Sequence, residues 1–77
     1  MHVELIRSPA DFGRAIRLRR KTLGLTQAGV AEVAGVGSRF VSEVERGKGT
    51  AEIGRLLRVV GVLGLDLHVA CRHGAVP

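Results

Sequence analysis

Residues 25–49 contain two short runs of apolar side chains at helical spacing, separated by the tripeptide Gly35-Val36-Gly37. The apolar positions of the two runs are Val30, Ala31, Ala34, Val41 and Val44. Each run is shorter than the roughly 12–15 residues that an isolated helix needs to be stable in water. Both helices must therefore be held by packing against other parts of the chain.

Two short helices joined by a glycine turn, and buried by further helices on either side, form a helix-turn-helix. This arrangement requires a small residue where the helices cross, and Ala31 supplies it. It also requires a residue that tolerates positive φ after the first helix, and Gly35 supplies it. Val41 and Val44 supply the apolar seat of the second helix, so the spacing predicts this motif.

Further helices are predicted on both sides of the motif. Ser8, Pro9 and Asp11 are typical of a helix start, with Asp11 reaching back to the amide of the cap, and Gly24 ends this first helix. The second helix is capped by Thr26, and the third spans about 38–46. Thr50 is predicted to cap a fourth helix, whose buried stripe contains Ile53, Leu56, Leu57, Val60 and Leu63.

The segment 65–72 alternates apolar and polar residues, which predicts a strand with one buried face. Its apolar positions are Leu65, Leu67, Val69 and Cys71. Because an isolated strand is not stable, we expect this strand to pair with its mate in a homodimer, with residues 3–6 as candidate outer strands. One domain over 1–77 is predicted, with a helical core over 8–64, the dimerisation strand over 65–72 and a disordered tail over 73–77.

Composition limits the cellular setting and the class of partner. The 77 residues include 11 Gly, no Trp and a single cysteine, which favours one small domain with an aliphatic core in a reducing compartment. Neither a membrane span of about 20 apolar residues nor a signal peptide is evident, so we expect a soluble cytoplasmic protein. The net charge of +5 favours an anionic partner, with DNA or RNA first.

The chain resembles the lambda-repressor-like (Xre, Cro/C1-type) helix-turn-helix family over about residues 12–64. The resemblance rests on Leu25-Thr26-Gln27, Val30-Ala31, Ala34-Gly35-Val36 and the run from Val41 to Lys48. The Ser-Pro start and the strand-like segment LDLHVACR are most similar to HipB-type antitoxins, which bind DNA and partner HipA-like kinase toxins. The resemblance implies a mostly α bundle of four to five helices with a C-terminal β-strand used in dimerisation.

Two glycines depart from the family pattern. Gly29 stands where the family often has a Glu that closes a capping box with the Thr, and Gly37 stands where a Ser or Thr cap is usual. A glycine inside a helix costs about 1 kcal/mol relative to alanine. These changes affect local stability, and the predicted fold is unaltered.

The second helix of such a motif enters the major groove of DNA with its N-terminal end first. Ser38, Arg39 and Glu43 are predicted to face outward there, and Arg39 is the candidate reader of guanine, against the alternative of a solvated arginine. Phe40 either contacts a thymine methyl group or packs in the core. Glu43 accepts from cytosine N4, orients Arg39 or simply faces solvent. The candidate DNA-binding set is Gln27, Gly37, Ser38, Arg39, Phe40, Ser42, Glu43, Arg46 and Lys48.

Other members of this set are assigned to the DNA backbone. The resemblance implies that Gln27 contacts a phosphate, with the helix N-terminus assisting. Arg46 and Lys48 follow the recognition helix and are candidates for phosphate contacts that position the protein without reading sequence. The resemblance also implies a structural ion pair between Arg20 and Glu45, which would be partly buried.

No catalytic constellation is evident, and neither an enzyme activity nor a cofactor is predicted. His68, Cys71 and His73 invite a metal interpretation, but alternation along a strand would point His68 and Cys71 to opposite faces, so no metal is predicted. Cys71 is interpreted instead as a small apolar strand residue.

A homodimer would present two recognition helices about 34 Å apart, matching one turn of double-stranded DNA, and would require a palindromic operator. The predicted function is a sequence-specific repressor in the bacterial cytoplasm, associated with the nucleoid when bound. The resemblance suggests an antitoxin that represses its own operon and binds a HipA-like Ser/Thr kinase toxin. The alternatives are a stand-alone phage or restriction-control regulator of the Xre type and a pure protein-interaction module.

Overall fold

The computed structural model describes residues 3–72, and this part of the chain contains four helices and no strand. The helices are α1 (Pro9–Thr22), α2 (Gln27–Ala34), α3 (Ser38–Glu45) and α4 (Ile53–Val62). α3 packs against both α1 and α2, and α2 also packs against α4. The predicted mostly helical fold is confirmed. Within 3–72, no helix combines the length and the apolar character that a membrane crossing needs.

Short-range signals place the ends of α1 and α2 as predicted. The Ser8 hydroxyl accepts from Asp11 N at 3.1 Å and caps α1, whereas the Asp11 carboxylate accepts from Arg7 N rather than from the amide of Ser8. The Thr26 hydroxyl caps α2 by accepting from Gly29 N at 2.9 Å. α2 ends at Gly35, whose φ of +71° confirms the left-handed conformation expected at the turn.

The core is aliphatic and lies where α1, α2, α3 and α4 meet. Its buried members are Ile16, Val30, Ala31, Ala34, Val41, Val44, Val59, Val60 and Leu63. α1 approaches α3 closely at Gly13, where an added Cβ would lie 2.4 Å from the carbonyl oxygen of Val44. Only a residue without a side chain fits there, so Gly13 sets the distance between α1 and α3.

The predicted start of the fourth helix is wrong, and its predicted buried stripe is confirmed at Leu56, Val60 and Leu63 but wrong at Ile53 and Leu57. Glu52, not Thr50, caps α4, because its two carboxylate oxygens accept from Gly54 N and Arg55 N at 2.9 Å each. The predicted buried stripe included Ile53 and Leu57, but these side chains are 69% and 48% exposed. Val59 is buried instead, because α2 and the rest of the core cover only one side of α4 and Val59 lies on that side.

The segment after α4 forms no strand within the described residues. Gly64 has φ of +67°, and Leu65 N donates to Val60 O at 3.1 Å, so Leu65 closes the end of α4. Leu65 is therefore partly buried against its own core, whereas Leu67 and Val69 are exposed. A strand requires a neighbouring strand for its hydrogen bonds, so the dimerisation strand stays a prediction. The tail predicted over 73–77 lies outside the described residues.

Candidate nucleic-acid interface

α3 lies across α1 and α2 with one face in the core and the other in solvent. Val41 and Val44 are buried, and this orientation turns Ser38 and Arg39 outward at the beginning of the helix. Gly37 occupies the N-cap position of α3. Because glycine has no side chain, it makes no capping hydrogen bond to the first amides of the helix. The Arg39 side chain is 90% exposed, which leaves its guanidinium accessible to a partner.

The middle of α3 divides its side chains between the core and the outer face. Phe40 is partly buried and packs against the core, which favours the packing alternative over a contact with thymine. The Ser42 hydroxyl accepts from Arg46 Nη1 at 2.9 Å, one helical turn later. This bond holds the Arg46 guanidinium along the outer face of α3.

Glu43 lies between two cations on the outer face. Its Oε2 atom is 2.5 Å from Lys48 Nζ, and its Oε1 atom is 3.4 Å from Arg39 Nε. The hydrogen bond from Lys48, and more weakly the charges of Lys48, Arg39 and Arg46, hold the pKa of the Glu43 carboxyl below its usual range. The carboxylate is therefore charged at neutral pH.

Behind α3, Glu45 is the centre of a hydrogen-bonded network that joins α1, α2 and α3. Arg20 Nε donates to Glu45 Oε2 at 2.6 Å, and Arg20 Nη2 donates to Glu45 Oε1 at 2.9 Å. The Glu45 side chain is only 3% exposed. Burial raises the pKa of its carboxyl, but the hydrogen bonds from Arg20 and Gln27, together with the charges of Arg20 and Arg17, leave the pKa below its usual value.

The same network engages Gln27, which the family resemblance assigns to a DNA phosphate. Gln27 Nε2 donates to Glu45 Oε1 at 3.1 Å. Since a side-chain amide has two donor hydrogens, one remains for a further partner. Arg20 also donates from Nη1 to the carbonyl oxygen of Leu25 at 2.9 Å, which fixes the turn before α2.

The cations at the two ends of α3 determine which kind of partner this surface can bind. Arg39 lies at its start, and Arg46 and Lys48 follow its end, with all three exposed. An arginine fork can read guanine in the major groove, and cations near the helix ends can bind phosphate oxygens. The surface is suited to an anionic polymer.

Two side-chain interactions, one behind α3 and one on its outer face, were not anticipated from the sequence. The bond from Gln27 to Glu45 joins residues 18 apart and has no local signature. The pair between Glu43 and Lys48 spans five residues, which is outside ordinary helical spacing, and it forms because the chain turns at Gly47, where φ is +85°. The lysine therefore comes back toward the helix that precedes it.

The C-terminal segment offers no metal site within residues 3–72, where no group of three or more His, Cys, Asp or Glu side chains is suitably placed. His68 and Cys71 are both exposed. The third candidate ligand, His73, lies outside the described residues.

Comparison with known proteins gives relatives that share this architecture. A model of the family described as helix-turn-helix matches residues 16–69. An uncharacterised HTH-type transcriptional regulator, y4mF of Sinorhizobium fredii (strain NBRC 101917 / NGR234), is 45% identical over 64 residues. That alignment covers 83% of this chain and 84% of the relative.

Solved structures with the same fold include HipB in its O4 20mer complex, with a TM-score of 0.83 at 22% identity. The match covers 90% of this chain and 97% of HipB, and HipB in the HipA-HipB-O2-O3 complex gives the same values. The restriction-modification controller protein C.AhdI from Aeromonas hydrophila has a TM-score of 0.68 at 28% identity, over 75% of this chain and 84% of C.AhdI. The family match over most of the chain and the 45% identical relative establish that the chain belongs to the helix-turn-helix family, as a transcriptional regulator of the Xre type.

Proposed function

We propose that this regulator is a repressor that binds a palindromic operator as a homodimer, with α3 in the major groove. The observation that carries the proposal is the outward projection of Arg39, 90% exposed, from a helix whose opposite face is fixed in the core by Val41 and Val44. A rigid helix that presents an arginine fork is suited to reading a guanine edge.

Arg46 and Lys48 support the proposal as backbone contacts. Both are exposed cations beside the end of α3, where phosphates flank a helix that lies in the groove. Ser38, at the start of α3, is available for a base or phosphate contact. Gln27 contributes its second amide hydrogen from the start of α2, close to the N-terminal dipole of that helix.

Exposed apolar residues support the homodimer. Leu67 and Val69 are 48% and 102% exposed on the segment after α4, and Ile53 and Leu57 are exposed on α4 itself. Such surface is costly to leave in water, and a two-fold mate would cover it. Pairing of 65–72 with its mate would also supply the hydrogen bonds that a strand needs.

We further propose that the chain is the antitoxin of a HipBA-like toxin-antitoxin pair, repressing its own operon and binding a HipA-like kinase. The similarity in fold to HipB, which occurs in a complex with HipA, supports this assignment. A restriction-control regulator is the second candidate, because C.AhdI has the same architecture at somewhat higher identity over a shorter stretch.

Duplex binding measured over a range of salt concentrations tests the DNA-binding proposal. A duplex selected by the protein from a random pool should bind with a steep salt dependence, because each neutralised phosphate contributes about −0.9 to the slope of log K against log salt. Arg39→Ala should weaken the selected duplex by about 1–3 kcal/mol per half-site. Arg55→Ala, which removes an exposed cation from α4, is the matched control and should leave this affinity near that of the parent.

Recovery of the protein from its source cells separates the two candidate functions. Sequencing of the bound DNA, with identification of co-purifying proteins, should give a HipA-like kinase and the promoter of its operon. A promoter of restriction-modification genes without a kinase would favour the second candidate. A flat salt dependence and no selected duplex would overturn both.

A further inference from the structure

The outer face of α3 carries a carboxylate on the surface proposed to meet DNA. Glu43 is held between Lys48, at 2.5 Å, and Arg39, at 3.4 Å. Its side chain is 21% exposed, whereas those of Arg39 and Lys48 are 90% and 49% exposed. The acid is therefore the less exposed centre of a cluster whose outer members are the cations.

The backbone holds this cluster in place independently of its charges. Lys48 N donates to the carbonyl oxygen of Glu43 at 3.0 Å, which closes the end of α3. The turn at Gly47 packs against α1, where an added Cβ would lie 3.0 Å from the Cα atom of Ala10. Removing the Glu43 carboxylate should consequently leave the loop and Lys48 where they are.

A negative charge at this position opposes indiscriminate binding to DNA. It repels phosphates, and it engages two cations that would otherwise be free to neutralise them. In the major groove, only the amino groups of cytosine and adenine offer a donor to a carboxylate, whereas guanine and thymine present acceptors. The repulsion between Glu43 and the phosphates is therefore offset on sequences that place a cytosine or adenine amino group beside the carboxylate. On other sequences the repulsion is not offset, and this difference in affinity creates specificity.

We propose that Glu43 is a selectivity-determining residue that pairs with Arg39 and Lys48 and suppresses binding to duplexes without a base-edge donor at its position. This inference rests on the proposed function, because it requires α3 to lie in the major groove. It assigns Glu43 a role in rejecting wrong sequences, in addition to any contact with the right one.

The test compares two duplexes: one selected from a random pool by the unaltered protein, and one of the same composition in scrambled order. Glu43→Ala should raise affinity for the scrambled duplex and reduce the ratio of the two affinities by about tenfold. The salt dependence on the scrambled duplex should steepen by about 0.9 for each freed lysine, or about 1.8 for a homodimer. Glu32→Ala, which makes the same change of charge on α2, should leave the ratio unchanged.

Lys48→Met provides a second variant with the opposite expectation. It leaves Glu43 without its nearest cation, so affinity for the scrambled duplex should fall more than affinity for the selected one, and the ratio should rise. A lysine that only contacts phosphate would weaken both duplexes alike. This result stands on its own if Glu43→Ala fails to fold.

The inference is overturned if Glu43→Ala melts at the parent temperature and keeps the parent ratio. It is also overturned if affinities for both duplexes fall in parallel with a lower melting temperature, which would indicate a structural role alone. Failure of the unaltered protein to select any duplex is a different result, because it removes the proposed function first and this inference with it.

Discussion

At the scale of single residues, Glu45 connects the stability of the domain to the surface it presents. Its two oxygens accept three hydrogen bonds from Arg20 and Gln27, and its side chain is almost completely buried. The neighbouring acid Glu43 is more exposed and pairs with cations on the outer face. Two glutamates two positions apart on one helix therefore have different tasks.

Replacing Glu45 should destabilise the fold far more than it alters base recognition. Glu45→Ala leaves the Arg20 guanidinium buried without its counter-charge, which costs about 3–5 kcal/mol where a buried pair is broken. Urea unfolding measures this loss, with Glu43→Ala as the matched control on the exposed side of α3. Equal midpoints for Glu45→Ala and the parent would contradict the structural role.

The same carboxylate makes stability depend on pH in the acid range. The pKa of Glu45 in the folded state lies below its unfolded value of about 4.3, so the unfolded chain takes up the proton first as pH falls. The contribution of Glu45 is complete above about pH 4.3 and is lost as pH falls through the folded pKa. Thermal unfolding followed from pH 7 to pH 3 should show this loss, and Glu45→Gln should show a shallower fall.

At the scale of elements, the position of α3 depends on how closely α1 can approach it. Gly13 allows that approach, because an added Cβ would meet the carbonyl oxygens of Val44 and Glu45 at 2.4 Å and 2.8 Å. Those carbonyls belong to the last turn of α3, so their displacement would also disturb the pair formed by Arg20 and Glu45. Gly13, on α1, therefore determines the position of α3 and of the side chains on its outer face.

Alanine substitutions at two helical glycines should therefore have opposite effects on the stability of the fold. Gly13→Ala should lower the melting temperature although alanine is the better helix former, since the backbone of α3 must move to admit it. Gly61→Ala in α4 is the control, because its Cβ would meet nothing within 4 Å in the chain, and it should gain up to about 1 kcal/mol. A Gly13→Ala protein as stable as the parent would refute the close packing of α1 on α3.

At the scale of the whole molecule, a single chain leaves apolar surface that its own helices do not cover. Ile53, Leu57, Leu67 and Val69 are all exposed, although they lie on the two segments with the strongest apolar patterns after the motif. Small domains bury a limited share of their surface, and association is a common way to bury more. The proposed homodimer would use this surface and would also set the spacing of the two α3 helices.

Removing the apolar side chains of the C-terminal segment tests that assembly. The double substitution Leu67→Gln and Val69→Gln should give a monomer in sedimentation experiments without changing net charge. Affinity for the selected duplex should fall by about 10² or more, the gain that linked binding sites provide. Leu18→Gln, at an exposed apolar residue of α1, should leave the dimer and its affinity intact.

The sequence by itself determined the features that depend on neighbouring residues. Ser8 and Thr26 cap their helices because a hydroxyl reaches an amide three residues ahead, and Gly35 turns the chain because it alone tolerates positive φ without cost. Local spacing also predicted the two buried valines of α3 and hence the outward direction of Arg39.

Tertiary structure decided which side chains are buried, because burial depends on how much of each helix its neighbours cover. The sequence could not indicate that Val59 rather than Leu57 enters the core, because that outcome depends on which side of α4 meets α2. The partnership of Gln27 with Glu45 is likewise a product of packing between elements. The Glu52 cap of α4 is different, since its hydrogen bonds reach amides only two and three residues ahead. Capping hydrogen bonds join residues a few positions apart, so the sequence can predict them. Which side chains are buried is determined only when helices distant in sequence pack against one another.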